Sequence, residues 1–340
     1  MPDKQRKRQQ TRAGRSGRGS SRRARSLQLA AGAEDDVAGE PGVLVAHHGV
    51  AVDVRLRGGE RRPVKVRRSS GHVVGDRVEV FGERLRRLER DSELRRRDAM
   101  GRVHVVAANL DVLGIVVAPK PGPPAGFIDR ALVSAASSGI QPLLIVNKAD
   151  LDGAGALVAA VRRTFVEGPG GVDLPLLEVS AKTGEGLEAI LRFLAQGPHR
   201  GAFVGTSGVG KSSLVNTLLP EVELEVGAIN ELSGLGRHTT TTATLHPLSG
   251  GGELIDTPGF RDFGLVDIGV RELSRFFPGF ADILGTDASG HDSKHACRFN
   301  DCRHLVEPGC AILEAVAEGA LARARWERYR DLLTELEALA

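Results

Sequence analysis

A multidomain α/β protein is expected from three features of the 340-residue sequence. Short β-branched runs punctuated by glycine begin at Val43. From Asn109 continuous apolar runs alternate with helical spacing, and beyond residue 266 strand patterns stop and helical spacing remains. The expected division is a disordered basic tail and linker over 1–42, a small β-barrel over 43–106, an α/β domain over 107–265 and a helical, metal-binding domain over 266–340.

Residues 1–26 hold ten Lys/Arg and one acid, Asp3, so this tail carries +9. The remainder carries −6, with 36 basic and 42 acidic residues, so the basic character of the whole chain belongs to the tail. Lacking apolar periodicity and repelling itself, the tail reads as disordered. It is a phosphate-seeking arm for nucleic acid, a solvated tail without a dedicated partner, or an Arg- and Ser-rich transit peptide. No apolar segment of the secretory type follows it. The longest apolar run, Val112 to Ala118, is far short of the roughly 20 residues that cross a bilayer. A cytoplasmic monomer is expected.

The barrel is read from Val43 to Ala46, Val50 to Val54, Val64 to Val66, Arg77 to Phe81 and Val103 to Ala107. Two basic stretches decorate it, Arg55 to Arg68 and Arg84 to Arg97, each with seven basic residues. Phe81 is the one aromatic of the segment, so contacts to phosphates and to the shape of folded RNA are expected over base stacking.

The α/β domain begins with Val112 to Ala118 and Leu143 to Val146, continuous apolar runs of the kind that buried parallel strands need. Helical spacing marks Phe127 to Ser138, Gly155 to Phe165 and Leu187 to Leu194. Leu176 to Val179, Ala202 to Val204 and Glu253 to Ile255 are further strands of a doubly wound sheet.

The motifs lie at strand ends. Gly205-Thr206-Ser207-Gly208-Val209-Gly210-Lys211-Ser212, with Ser213 next, is a phosphate-binding loop between a strand and a helix. Its glycines let backbone N–H groups converge on phosphate, Lys211 would reach the β- and γ-phosphates, and Ser212 would bind Mg²⁺. Asp256-Thr257-Pro258-Gly259 follows an apolar strand, Asp256 suiting outer coordination of the metal and the Gly259 N–H the γ-phosphate. Asn147-Lys148-Ala149-Asp150 places a carboxylate to accept two hydrogen bonds from guanine, which adenine cannot offer, so GTP is selected. Ser180-Ala181-Lys182 would support the base from the other side.

Their order matters. The base motifs precede the phosphate motifs, the reverse of ordinary GTPases, so the domain reads as a circularly permuted P-loop GTPase with the usual termini joined near Gly197 to Gly201. Between the phosphate loop and Asp256 lies Gly234 to Thr242, where Thr240, or else Thr239, would complete the Mg²⁺ shell and sense the γ-phosphate. Phe260 stands where many GTPases place a water-orienting Gln, so intrinsic hydrolysis should be slow. His238 is either the water-positioning group or a surface-loop histidine.

Three cysteines, all between 297 and 310, exclude a disulfide framework. Cys297, Cys302, His304 and Cys310 form a closed tetrahedral set suited to one structural Zn²⁺, with His291 and His295 as nearby alternatives. In the C-terminal helix Trp326, Tyr329, Leu333 and Leu336 share one face and read as core packing.

Taken together, the permuted order, the phosphate loop, His-Thr-Thr-Thr at 238–241, Asp-Thr-Pro-Gly and the Cys-x4-Cys-x-His-x5-Cys knuckle resemble the ribosome small subunit-dependent GTPase A family, from Val43 to the C-terminus. The junction from Arg95 to Asp111 is similar too. The resemblance implies an N-terminal OB-type β-barrel, a permuted GTPase domain and a C-terminal helical zinc domain. It implies late maturation of the small (30S) ribosomal subunit and its rRNA, with GTP hydrolysed to GDP and phosphate under stimulation by that subunit. It favours His238 as catalytic, beside the Lys211 and Thr240 read from the motifs. The alternatives are a GTP-binding rRNA scaffold that hydrolyses negligibly, or a permuted GTPase of large-subunit assembly.

Overall fold

The computed structural model describes residues 38–339 except 99, 198, 221–242, 258–263 and 286–296. The basic tail, His238, Thr239, Thr240, Gly259, Phe260, His291 and His295 therefore lie outside the described residues. From Pro41 onward the chain forms one compact unit.

Seven strands come first: β1 (Glu40–His47), β2 (Ala51–Leu56), β3 (Arg61–Lys65), β4 (Arg77–Phe81), β5 (Arg84–Arg87), β6 (Glu93–Arg97) and β7 (Val103–Ala108). β1, β2 and β3 form an antiparallel meander, β4 pairs with β1 and β5, and β6 and β7 make a separate antiparallel hairpin. In β2 and β4 every second residue is buried, so Val52, Val54, Val78 and Val80 enter a core while their neighbours face outward. β5 and β6 were not expected as strands. They lie in the arginine-rich stretch, where outward-facing Arg84, Arg86, Arg96 and Arg97 mask the apolar positions Leu85 and Leu94.

The rest of the sheet is β8 (Val112–Val117), β9 (Gln141–Val146), β10 (Leu176–Glu178), β11 (Arg200–Val204), β12 (Thr244–Pro247) and β13 (Glu253–Asp256). Its order is β10-β9-β8-β11-β13-β12, and all neighbours are parallel except the β12–β13 pair. Helices α1 (Phe127–Ser137), α2 (Ala154–Val161), α3 (Leu187–Ala195) and α4 (Lys211–Leu218) cover both faces. Strand alternation shows this directly. Leu113, Ile115 and Val117 join Phe127, Ala131 and Val161 in one core, whereas Val112 and Val116 join Ile190, Leu194 and Leu214 in another. The helix expected from Gly155 to Phe165 is α2 continued by a π-helical stretch, Arg162–Glu167.

β12, which the sequence reading missed, joins the two sets of strands. It pairs with β13 on one side and with β1 on the other through Ala46 and Thr244, giving a single 11-stranded sheet. An ionic clasp reinforces that seam. Glu253 of β13 accepts hydrogen bonds from Arg55 of β2 and from Arg200 of β11 (2.8 Å). Arg200 also donates to the Gly75 carbonyl at 3.0 Å. Burial would raise the Glu253 carboxyl, but the two guanidinium groups outweigh it and hold it below the usual carboxylate range.

The C-terminal part holds α5 (Leu273–Phe276), α6 (Ala281–Leu284), α7 (Ala311–Glu318) and α8 (Arg323–Leu339), with no strand among the described residues. Phe277, Phe280 and Tyr329 pack edge-on or tilted with centroids 4.7–5.4 Å apart, beside Leu273, Leu332 and Leu333. Val133 of α1 belongs to this cluster. The side chain of Arg325 is buried and donates to the carbonyls of Thr164 (2.6 Å) and Pro278 (3.4 Å). Next to it Arg328 pairs with the buried Asp129 of α1 at 3.1 Å. Among the described residues no helix is long and apolar enough to cross a membrane.

Replacing Glu253 by Ala leaves two largely buried guanidinium groups facing each other and is expected to cost about 3 kcal/mol in urea unfolding. The depressed carboxyl means that the folded chain binds fewer protons than the unfolded one. The deficit of Glu253→Ala relative to the parent is therefore complete above the usual carboxylate range and shrinks as the pH falls through the depressed value. A deficit that stays constant as the pH falls through the depressed value and below it would contradict the clasp.

Candidate functional site

The carboxyl ends of β8, β9, β10 and β11 meet at one edge of the parallel sheet, where open α/β folds bind ligands. The loop after β11, Gly205 to Gly210, leads into α4, whose N-cap Gly210 has φ 94° and makes no side-chain cap hydrogen bond. The first backbone N–H groups of α4 thus have no capping side chain, which suits an anion. Two glycines are obligatory here. A Cβ at Gly205 would lie 2.5 Å from the Val116 carbonyl oxygen, and one at Gly210 would lie 2.3 Å from Asn147 Nδ2. Lys211 Nζ donates to the carbonyls of Gly205 and Thr206, folding over its own loop. Ser212 and Ser213 are exposed on the first turn of α4.

The second loop follows β9. Asn147 is 1% exposed and bonds in two directions, Nδ2 donating to the Val209 carbonyl (2.9 Å) and Oδ1 accepting from the Ala181 N–H (3.1 Å). It ties three loops together. Lys148, at φ 64°, sends Nζ to the carbonyls of Lys120 and Gly208, both at 2.6 Å. Asp150 accepts from the buried Ser180 hydroxyl at 2.7 Å, with Lys182 Nζ 3.9 Å away. The Ser180 hydroxyl holds the Asp150 carboxyl below the usual range, so it is an anion ready to accept two hydrogen bonds.

Two contributors escaped the sequence reading. The loop after β8 supplies the Lys120 carbonyl to Lys148 and places Pro121 against Gly208. Its signal is the Pro/Gly-rich run from Pro119 to Pro124 at the end of an apolar strand. Thr217 Oγ1 lies 3.2 Å from the Ala181 carbonyl, and no sequence pattern marks it. Asp256 ends β13, and burial pushes its carboxyl above the usual range. Thr257 after it is buried, and the segment beyond lies outside the described residues.

Far along the chain, Cys297, Cys302, His304 and Cys310 bring their ligand atoms within 4.8 Å of one another. His304 Nδ1 lies 3.6 Å from Cys297 Sγ and 3.4 Å from Cys310 Sγ. Tetrahedral zinc, with Zn–S about 2.3 Å and Zn–N about 2.0 Å, separates S and N by about 3.5 Å. The donor chemistry fits as well. Burial pulls the His304 pKa down, leaving the neutral imidazole that binds metals. Burial pushes the Cys302 and Cys310 thiols up and the charge of Cys297 adds to both, a cost to the thiolates that a bound cation would offset. Trp326 Nε1 donates to the His304 carbonyl at 2.7 Å and Tyr329 packs beside the imidazole, so α8 holds the knuckle from below. The cluster is compatible with a zinc site.

Residues 87–266 match the RsgA GTPase family. A relative from Pseudomonas fluorescens strain Pf-5, "Small ribosomal subunit biogenesis GTPase RsgA", is 44% identical over 314 residues, which cover 87% of this chain and 86% of that protein. A relative of the same name from Azotobacter vinelandii is 44% identical over 312 residues, covering 87% and 85%. Among solved structures, YjeQ from Thermotoga maritima superposes with a TM-score of 0.65 at 31% identity, covering 87% of this chain and 98% of that one. YloQ, described as a circularly permuted GTPase, superposes with a TM-score of 0.62 at 23% identity over 90% of this chain and 98% of its own, which bears on fold alone. With its guanine-type loops preceding its phosphate loop, this chain belongs to the RsgA GTPase family and has the circularly permuted GTPase fold.

Proposed function

We propose that this GTPase acts in biogenesis of the small ribosomal subunit, docking on the immature subunit in its GTP form and leaving after hydrolysis to GDP and phosphate. The observation that carries the reading is the buried Asn147, which locks the guanine-reading and phosphate-binding loops into one site, in a chain 44% identical to relatives named for that process.

In this reading Asp150 accepts hydrogen bonds from the guanine edge, Lys148 flanks the base, and Ser180, Ala181 and Lys182 close the pocket. Lys211 leaves its loop carbonyls to bind the β- and γ-phosphates, supplying positive charge where negative charge builds up. Mg²⁺ would be held by the Ser212 hydroxyl, with Asp256 in its outer shell. The half-buried Asp256 carboxylate, offset by no cation among the described residues, fits that neighbour. When bound, Mg²⁺ offsets charge on the phosphate oxygens. Thr240, His238 and Gly259 complete the reading as the threonine sensor, the water-positioning group and the γ-phosphate N–H.

We further read β1–β7 as an OB-type barrel over 43–106, 107–265 as the GTPase domain, and 266–340 as a helical domain folded around one Zn²⁺. The exposed Arg57, Arg61, Lys65, Arg67 and Arg68 give the barrel a phosphate-seeking face. The tail over 1–42 adds charge to that role, and the protein works as a cytoplasmic monomer.

The primary experiment is phosphate release from GTP, alone and with purified subunits, with Lys211→Ala as the blank. Slow basal turnover, strongly raised by small but not by large subunits, is the expected result. Absence of turnover with small subunits, despite GTP binding, would leave a GTP-binding scaffold. Asp150→Asn should lower GTP affinity at least about 100-fold, because a site built to hydrogen-bond a base rejects one it cannot pair. The variant should gain affinity for xanthosine triphosphate, whose C2 carbonyl oxygen accepts from the new amide, and equilibrium binding of both nucleotides checks this. Cys310→Ser should lose zinc by metal analysis. It should also shift the emission of Trp326, the chain's only tryptophan, because the indole N–H is bonded to the His304 carbonyl.

A further inference from the structure

We propose that Arg298 and Phe299, on the Cys/His knuckle, form a stacking platform for one unpaired base of RNA. The inference rests on the small-subunit reading above and names a contact within it.

Phe299 is the only aromatic side chain among the exposed large hydrophobic residues described, at 42% exposure. The other rings of this region are committed elsewhere. Phe277, Phe280 and Tyr329 fill the C-terminal core, and Trp326 is bonded to the His304 carbonyl. Phe299 is left at the surface with the Arg298 guanidinium over its ring, 5.5 Å from the centroid. Arg298 is itself exposed and makes no ion pair among the described residues.

The pair is also preorganised. It sits between Cys297 and Cys302 of the Cys/His cluster, so a bound metal would fix the loop on both sides. The Arg298 N–H donates to the Gly309 carbonyl at 2.9 Å. A Cβ at Gly309, where φ is 70°, would lie 3.0 Å from Arg298 Cβ, so the backbones approach as closely as a glycine permits. The Cys302 N–H donates to the Phe299 carbonyl at 3.3 Å. A held, exposed ring with an adjacent guanidinium that makes no ion pair among the described residues matches an unstacked base and its phosphate, which need a π-face and a cation together. An apolar patch on a protein would have use for the ring but none for the cation.

The test uses the full-length protein with a non-hydrolysable GTP analogue and purified small subunits. Affinities are measured by sedimentation for the parent, Phe299→Leu, Phe299→Tyr and Arg298→Ala, with zinc content and Trp326 emission confirming an intact knuckle. Phe299→Leu should weaken binding by about 5- to 100-fold, the range for loss of one base–aromatic stack, while Phe299→Tyr stays within about twofold. Arg298→Ala should fall between them. Base-specific chemical probing of the subunit rRNA should show one unpaired base protected by the parent and by Phe299→Tyr, and reactive with Phe299→Leu. Equal affinity of Phe299→Leu and the parent overturns the platform and leaves the small-subunit reading standing. Loss of affinity with no change in any base's reactivity assigns the ring to a protein contact and overturns it too. Failure of the parent itself to bind small subunits removes both readings.

Discussion

The nucleotide site depends on one buried amide. Asn147 sits at the end of β9 with its donor turned to the Val209 carbonyl and its acceptor to the Ala181 N–H. A buried amide must satisfy both ends, because an unmet polar group costs about 1–3 kcal/mol. The loops after β9, β10 and β11 therefore adopt one mutual arrangement. Neighbouring choices follow from it. Position 210 must be glycine, since a Cβ there would fall 2.3 Å from the Asn147 amide nitrogen. Lys148 leaves the strand at positive φ and reaches two loop carbonyls, and Ser180 lies within reach of Asp150. A site assembled from pieces as distant as residues 147 and 209 then needs no ligand to hold its outline.

Permuting the chain changes what the nucleotide site is attached to. β12 and β13 leave and enter the two segments read as phosphate-sensing, and β12 is also the strand that pairs with β1. Glu253 at the start of β13 is held by Arg55 from β2 and Arg200 from β11. The β12–β13 hairpin is thus shared by the N-terminal strands and the GTPase sheet. A displacement of this hairpin has no flexible linker in which to dissipate, because a hydrogen-bonded strand pair and a mostly buried ion cluster cross the seam.

Features set by a few adjacent residues were legible in the sequence. The phosphate loop, the Asn147 to Asp150 turn and the Cys/His knuckle each encode their chemistry in spacing, and β8 and β9 announced themselves as unbroken apolar runs. What hid was whatever depended on partners far along the chain. β5 and β6 bury Leu85 and Leu94 only partly or singly, so their outward arginines dominated the local pattern and read as decoration. β12, Thr-Leu-His-Pro, carries one buried residue and has no periodicity to read. Its strand character comes from β13 and β1 on either side. Asn147 was visible as a member of a motif, but its bonds to Val209 and Ala181 were not, because no local signal reports a contact 62 residues away.

The segment after Asp256 is pinned downstream in two ways of unequal strength. Asp267 is paired with Arg95 of the β6–β7 hairpin at 2.6 Å, but both side chains are more than 40% exposed. Such a pair contributes at most about 1 kcal/mol and weakens with salt. Leu265 and Leu273, by contrast, are buried in the C-terminal core with Phe277, Phe280 and Tyr329, and a buried leucine is worth about 1.5–3 kcal/mol. The same core takes in Val133 of α1, and beneath it Arg328 holds Asp129 in a buried pair. The apolar contacts to the helical end are therefore the stronger of the two. In an unpermuted GTPase the chain beyond this segment must return to the next strand of the sheet. Here that strand, β8, has already been laid down, so the chain is free to run directly into the helical segment that carries the Cys/His cluster.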